Sequence, residues 1–129
     1  MANNILRIRE KDNNLLEKMN QSDCYIVKVD GRQVQSKSEL FQEMMIKFKL
    51  PDSSGWDSFI DWMTDLSWID KEKLCLVIYN YSEFLKKDEG DKDIFLEVLQ
   101  EDILPFWEKN VMETMVNGRV RSFNVYLIG

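Results

Sequence analysis

The sequence predicts an α/β fold, in which helices pack on a small three-stranded parallel sheet in two or three layers. Strand-like and helix-like segments follow one another along the chain, and the strands are separated by helices. The run Leu74–Tyr79 is continuously apolar, which is typical of a central strand that is buried on both faces. Strands that are joined through helices run parallel, with right-handed crossovers.

A short N-terminal strand and helix precede this unit. Ile5–Arg9 reads as a strand, and Asn14–Met19 places its apolar side chains on one side of one or two helical turns. We expect residues 1–23 to be an extension that packs on a domain formed by residues 24–129.

The first half of the domain has clear local signals. Tyr25–Val29 reads as a strand, and Asp30–Gly31 is a turn signal directly after it. Ser36 and Glu39 form a capping box that opens a helix, which Leu50–Pro51 ends. The apolar stripe of this helix consists of Leu40, Phe41, Met44, Met45 and Phe48.

An acidic helix is predicted from Trp56 to about Ser67, after a turn whose residues can cap it. At about 100° per residue its apolar side chains share one arc. They are Trp56, Phe59, Ile60, Trp62, Met63 and Leu66. Asp57, Asp61 and Asp65 stack on the opposite side, where like charges repel by roughly 0.2–0.5 kcal/mol per pair. The spacing alone favours an ordinary solvated face, and a surface that meets a positive partner is the alternative.

The second half alternates in the same way. Lys86–Lys92 reads as a solvated loop, after which Asp93 is predicted to cap a helix. Pro105 kinks this helix or begins a new one, and residues 105–116 are predicted to be helical. A hairpin that turns at Asn117–Gly118 is the alternative for that region. Phe123–Ile128 reads as the closing strand.

Composition bounds the class of partner. The net charge is −6 and the pI is about 4.7, which favours a basic partner over nucleic acid or an anionic membrane. The first 24 residues are neutral overall, so the whole acidic excess lies in residues 25–129. The chain has no histidine and two cysteines without CxxC spacing, which argues against structural zinc. Two free thiols in a reducing cytoplasm are expected, and a disulfide stays open.

Targeting signals and catalytic motifs are both missing from the sequence. It has no apolar leader region and no 18-residue apolar run, so we expect a cytoplasmic protein. We also expect the protein to be monomeric when free and to have no cofactor. No nucleophile elbow, P-loop or dinucleotide fingerprint is present. Asp57 and Asp61 could hold a catalytic divalent metal only if Glu101 or Asp65 joined them. The sequence therefore favours a protein that is not an enzyme.

From about Tyr25 onward, the chain resembles the barstar family of intracellular ribonuclease inhibitors. The most characteristic motif is Trp56–Asp61, with its two aspartates, after a proline and a glycine. The other matching segments are Val29–Gly31, the helix that Ser36 caps, Leu50–Pro51 with Gly55, Asp65–Trp68, Leu76–Ile78, Phe95–Glu101 and Val125–Ile128. The resemblance implies a three-stranded parallel sheet with helices on it.

The resemblance also implies an interface built from the acidic helix and the loop before it. In the family, two helix aspartates meet the arginine and histidine groups that otherwise bind RNA phosphate. Asp57 and Asp61 match these positions, and Glu101 matches a third acidic contact. The predicted partner-binding residues are Asp57, Asp61, Glu101, Trp56, Ser53, Ser54, Gly55, Ile60 and Asp65.

The chain departs from the family pattern around this loop. Gly55 directly precedes Trp56, where the family usually has two more residues between them. Ser53 and Ser54 replace aromatic residues, and Ile60 replaces a tryptophan. The leading hypothesis is an immunity protein that inhibits a basic ribonuclease toxin. The alternatives are a regulatory or scaffold protein that binds another basic protein, and a carboxylate metalloenzyme.

Overall fold

The computed structural model describes residues 4–9, 24–52, 54–110 and 121–129. It confirms the α/β fold and shows a parallel sheet of four strands, in the order β1-β4-β3-β2. The strands are β1 (Ile5–Ile8), β2 (Cys24–Asp30), β3 (Lys73–Tyr79) and β4 (Ser122–Ile128). The three strands predicted for the domain are all present, each one or two residues longer than the sequence suggested.

The fourth strand corrects the expected strand count. β1 lies at the sheet edge and pairs with β4, so that Ile5 stands opposite Val125 and Ile8 opposite Ile128. The two strands lie far apart in the sequence, so no local pattern identifies this pairing. The helix predicted over residues 14–19 lies outside the described residues.

In the described ranges three α-helices accompany the sheet: α1 (Lys37–Phe48), α2 (Trp56–Met63) and α3 (Glu89–Val98). The predicted cap of α1 is confirmed, because Ser36 accepts a hydrogen bond from the Glu39 backbone N–H at 3.2 Å. The Glu39 carboxylate in turn accepts from the backbone N–H of Gln35 at 2.9 Å. No helix in the described part of the chain is long and apolar enough to cross a membrane.

The α2 helix is shorter than predicted. It ends at Met63 instead of continuing to Ser67. The backbone of Leu66 adopts a left-handed conformation (φ 45°), and its N–H bonds the carbonyl of Trp62 at 3.1 Å. Such a turn stops a helix, and glycine is its usual occupant. Periodicity alone therefore extended the helix too far.

The α3 helix begins earlier than predicted. Asp88 is its N-cap and accepts a hydrogen bond from the Asp91 backbone N–H at 3.4 Å, so the prediction that Asp93 caps the helix was wrong. The stretch predicted as a loop up to Lys92 is already helical from Glu89. Asp88 and Asp93 have the same capping chemistry, so residue type alone does not decide between them. Gly90, which suggested a loop, lies in the exposed first turn of the helix, where glycine is tolerated.

The hydrophobic core lies between one sheet face and the three helices. Its largest fully buried side chains are Phe48, Phe59, Phe84, Phe95 and Phe123. β3 is buried on both faces, as the apolar run predicted. On the second face Cys75 lies with Val77, Tyr126 and Ile128.

The two cysteines are not joined in a disulfide and lie close together on this second face. Burial, with a smaller contribution from Cys24, raises the pKa of the Cys75 thiol to about 12. Cys75 is therefore a structural apolar residue and a poor nucleophile at neutral pH.

Gly31→Ala is expected to destabilise the fold. A Cβ at Gly31 would lie 2.5 Å from the carbonyl oxygen of Asn80 and 2.8 Å from that of Tyr79. Because both are backbone atoms, we expect the free energy of unfolding in urea to fall by about 1–3 kcal/mol. Gly55→Ala is the matched control, since a Cβ there meets nothing within 4 Å. Equal losses in the two variants would contradict this packing argument.

Candidate functional site

An exposed acidic surface runs across two neighbouring helical segments. Asp57 and Asp61 lie exposed on α2, and Glu101 lies exposed on the first π-helical turn, Leu99–Ile103, which directly extends α3. α2 contacts this turn, so the three carboxylates belong to adjoining elements. We call Asp57, Asp61 and Glu101 the acidic face.

The charges of the acidic face are not neutralised within the described residues. No lysine or arginine in these ranges lies within ion-pair distance of any of the three carboxylates. The described ion pairs lie elsewhere and join Arg32 with Asp30, Lys47 with Glu43 and Lys86 with Glu83. The acidic face therefore keeps its negative charge available to a partner.

Aromatic packing holds α2 in place. Phe59 is fully buried, with its ring centroid 5.9 Å from that of Phe41 and 6.2 Å from that of Phe95. Trp56 packs edge-on against Phe41 at 4.9 Å and against Phe59 at 5.9 Å. Trp56 and Ile60 are only partly buried and both contact the core. These two predicted site residues therefore anchor the helix and leave only part of their surface accessible.

The loop before α2 is tied to the helix by Asp52. Its carboxylate accepts a hydrogen bond from the Ser58 hydroxyl, and this bond is the main cause that lowers its pKa. Ser54 is exposed and Gly55 is the N-cap of α2 without a capping side chain. Ser53 lies outside the described residues. Asp65 is half-buried beyond the end of α2, so the three aspartates do not form one continuous helical row.

Pro105 explains the unusual backbone around Glu101. Proline has no N–H, and its ring clashes with the carbonyl of the residue four positions earlier, which here is Glu101. The backbone widens into a π turn, in which the Leu104 N–H bonds the Leu99 carbonyl. Helical structure therefore continues past Pro105 without a break, and a second π turn follows at Phe106–Asn110. Residues beyond 110 in the segment predicted as helix or hairpin lie outside the described residues.

A buried hydrogen bond fixes this segment relative to α2. The indole N–H of Trp107 donates to the carbonyl of Met63, the last residue of α2, at 2.9 Å. Trp107 is 2% exposed, so the bond is shielded from water. The two halves of the acidic face are thereby held in a fixed relation.

The metal-site hypothesis receives no support from this geometry. Within the described ranges, no three side chains of the aspartate, glutamate, cysteine and histidine types are grouped so that they could hold a metal ion. Glu101 adjoins α2, but with Asp57 and Asp61 it does not make up such a group.

Sequence reasoning missed one feature beside the acidic face. Trp62 and Trp68 form an edge-to-face pair, and Trp68 is 37% exposed. The sequence assigned Trp62 to the apolar arc of the helix and gave Trp68 no role. The signal in the sequence was Trp68 itself, which follows Leu66, the last apolar residue of the predicted helix. A large aromatic residue outside the apolar arc has no place in the predicted core.

A comparison with protein families gives one match. The family model described as Barstar (barnase inhibitor) matches residues 24–119, about three quarters of the chain. The matched range contains α1, α2, α3 and the whole acidic face. No curated protein and no solved structure matches the chain.

Proposed function

The chain belongs to the barstar family, and from that premise we propose that it inhibits a basic ribonuclease by occupying the enzyme's active site with α2 and the loop before it. The observation that carries the proposal is the acidic face. Asp57, Asp61 and Glu101 are exposed on adjoining segments and have no internal ion pair among the described residues. An active site that binds RNA phosphate presents cations, to which such a surface is complementary.

The proposed mechanism is occlusion by mimicry of phosphate. Carboxylates of Asp57 and Asp61 accept bidentate hydrogen bonds from arginine side chains that otherwise hold the RNA backbone. Because α2 is anchored by Trp56 and Phe59, little ordering is needed when the partner binds. Opposite charge accelerates the encounter.

A different basic protein is the second candidate partner. The sequence around the loop favours this alternative, since Ser53, Ser54 and Ile60 stand at positions where the family carries aromatic residues. In this case the fold and the acidic face would serve regulation or scaffolding instead of inhibition.

The proposed setting is the cytoplasm, with the free protein as a monomer. The setting is supported by Cys24 and Cys75, which are not joined in a disulfide, because reduced cysteines are the rule in that compartment. The acidic face is proposed to bind protein directly, and no nucleic acid or membrane takes part, because a net charge of −6 repels both.

The test is a titration of this protein into ribonucleases of the barnase type while RNA cleavage is followed. We expect inhibition to be complete at a one-to-one ratio. Because the steering is electrostatic, association should slow by about tenfold or more when salt is raised from low to high concentration. An acidic ribonuclease serves as the control and should stay active. Full activity of every basic ribonuclease would contradict inhibition and favour the other basic partner.

A further inference from the structure

The Trp62–Trp68 pair is an exposed aromatic surface next to the acidic face. The two ring centroids lie 6.1 Å apart with an interplanar angle of 65°. Among the described residues, Trp68 is the one aromatic side chain that is exposed. Trp62 directly follows Asp61 on α2, so the pair borders the acidic face. Each residue advances about 100° around a helix, so Ile60 and Trp62 flank Asp61 on its two sides. Trp62 therefore borders the acidic face on the side away from Ile60.

The Trp68 ring is held in place by its own side-chain hydrogen bond. The indole N–H of Trp68 donates to the carbonyl of Phe48 at 2.9 Å, which fixes it to the end of α1. The Asp52 carboxylate accepts a hydrogen bond from Ser58 and lies near enough to the Trp62 side chain for that indole to help lower its pKa. Since the indole N–H of Trp68 is already bonded, the exposed surface of Trp68 is apolar ring and is already oriented. A rigid aromatic side chain loses little conformational entropy on binding.

The fold uses cation–π contacts elsewhere but not here. Lys92 Nζ lies 4.3 Å and Arg7 Cζ 4.9 Å from the centroid of the Tyr81 ring, and Arg121 stacks on Trp107 at 4.8 Å. Within the described ranges, no cation lies over Trp62 or Trp68. The exposed part of the Trp68 ring is therefore available to a cation from outside, with the partly buried Trp62 beside it.

The surroundings select for positive charge. The Asp52 carboxylate lies near Trp62 in the structure, Asp61 directly precedes Trp62 in the chain, and Asp65 lies between the two tryptophans in the sequence. A cation over an indole gains from the ring quadrupole as well as from nearby carboxylates. Arginine suits this arrangement better than lysine, because its planar guanidinium stacks on rings and is more weakly hydrated.

We propose that Trp62 and Trp68 form a binding site for an arginine side chain of the partner, next to the acidic face. The inference rests on the proposed function only in taking the partner to be a basic protein. The aromatic pair is proposed to distinguish arginine from lysine, whereas the acidic face attracts either cation.

The test uses two peptides of equal charge, hexa-arginine and hexa-lysine, titrated into the protein at low ionic strength. We expect the wild type to prefer hexa-arginine. Trp68→Leu should reduce the ratio of the two affinities by about two- to fivefold, the usual size of an exposed cation–π contact. Trp68→Phe is the matched variant, since it also loses the bond to Phe48 but keeps an aromatic face, and it should retain most of the ratio. Asp57→Ala should weaken both peptides alike.

Three results would overturn the inference. They are no binding of either peptide by the wild type, an unchanged affinity ratio in Trp68→Leu, and an equal loss of the ratio in Trp68→Phe and Trp68→Leu. Arginine preference without inhibition of any ribonuclease would support the arginine site and contradict the proposed ribonuclease partner. Inhibition of a ribonuclease without arginine preference would support the proposed function and contradict the arginine site.

Discussion

Asp61→Ala is expected to weaken binding to a basic ribonuclease by about 2–5 kcal/mol, as for a hydrogen-bonded charge pair that loses one partner inside an interface. Most of the loss should appear as faster dissociation. The free protein should keep its unfolding midpoint, because the Asp61 side chain is exposed and forms no ion pair among the described residues. Binding can be measured by calorimetry and stability by thermal unfolding on the same sample.

Two further variants sharpen this measurement. Asp61→Asn keeps the shape but removes the charge, so a loss close to that of Asp61→Ala assigns the effect to charge. Glu89→Gln is the matched control, since Glu89 is exposed at the opposite end of α3, about 18 Å along the helix from Glu101. A large drop in thermal stability of Asp61→Ala, with unchanged binding, would show that this aspartate is structural.

Phe59→Ala is expected to have the opposite profile and to lower the free energy of unfolding by about 3–5 kcal/mol. Phe59 is 1% exposed and its ring contacts Phe41, Trp56 and Phe95. Removing it leaves a cavity where α1, α2 and α3 meet. A loss of this size is a large part of the 5–15 kcal/mol that stabilises a typical domain.

Urea unfolding followed by tryptophan fluorescence measures this loss. Phe59→Leu fills part of the cavity and should cost clearly less than Phe59→Ala. At low temperature, where the variant is still folded, inhibition should persist with a smaller loss of affinity than in Asp61→Ala, because Phe59 is buried and acts on binding only by anchoring α2. A stability change below about 1 kcal/mol would contradict its place in the core.

The elements that the sequence predicts well are those with local causes. The capping box of Ser36 and Glu39 opens α1 as expected, and the apolar run of β3 is buried as expected. The boundaries that differ have causes at a distance. The left-handed backbone of Leu66 ends α2 early although leucine is not a usual residue there, and its full burial identifies packing as the reason.

The acidic face also has one part that local sequence patterns predict and one part that they do not. The spacing of Asp57 and Asp61 predicts two exposed carboxylates on one helix, and both are exposed. The place of Glu101 depends on the π turn before Pro105 and on the bond from Trp107 to α2. The π turn follows from Pro105 and the bond from Trp107 is a tertiary contact, and helical periodicity carries no signal for either. A resemblance to the family was needed to join Glu101 to the aspartates.

The pairing of β1 with β4 has a consequence for how the protein matures during synthesis. The hydrogen bond between Asn4 and Asn124 joins residues 120 positions apart, and β4 lies between β1 and β3 in the sheet. At roughly 5–20 residues per second, a ribosome needs about 6–24 s to reach β4 after making β1. During that interval β1 has no strand to pair with, and the sheet edge of β3 stays open. The sheet therefore cannot be completed before β4 has been made, and pairings between residues so far apart in the sequence favour slow folding.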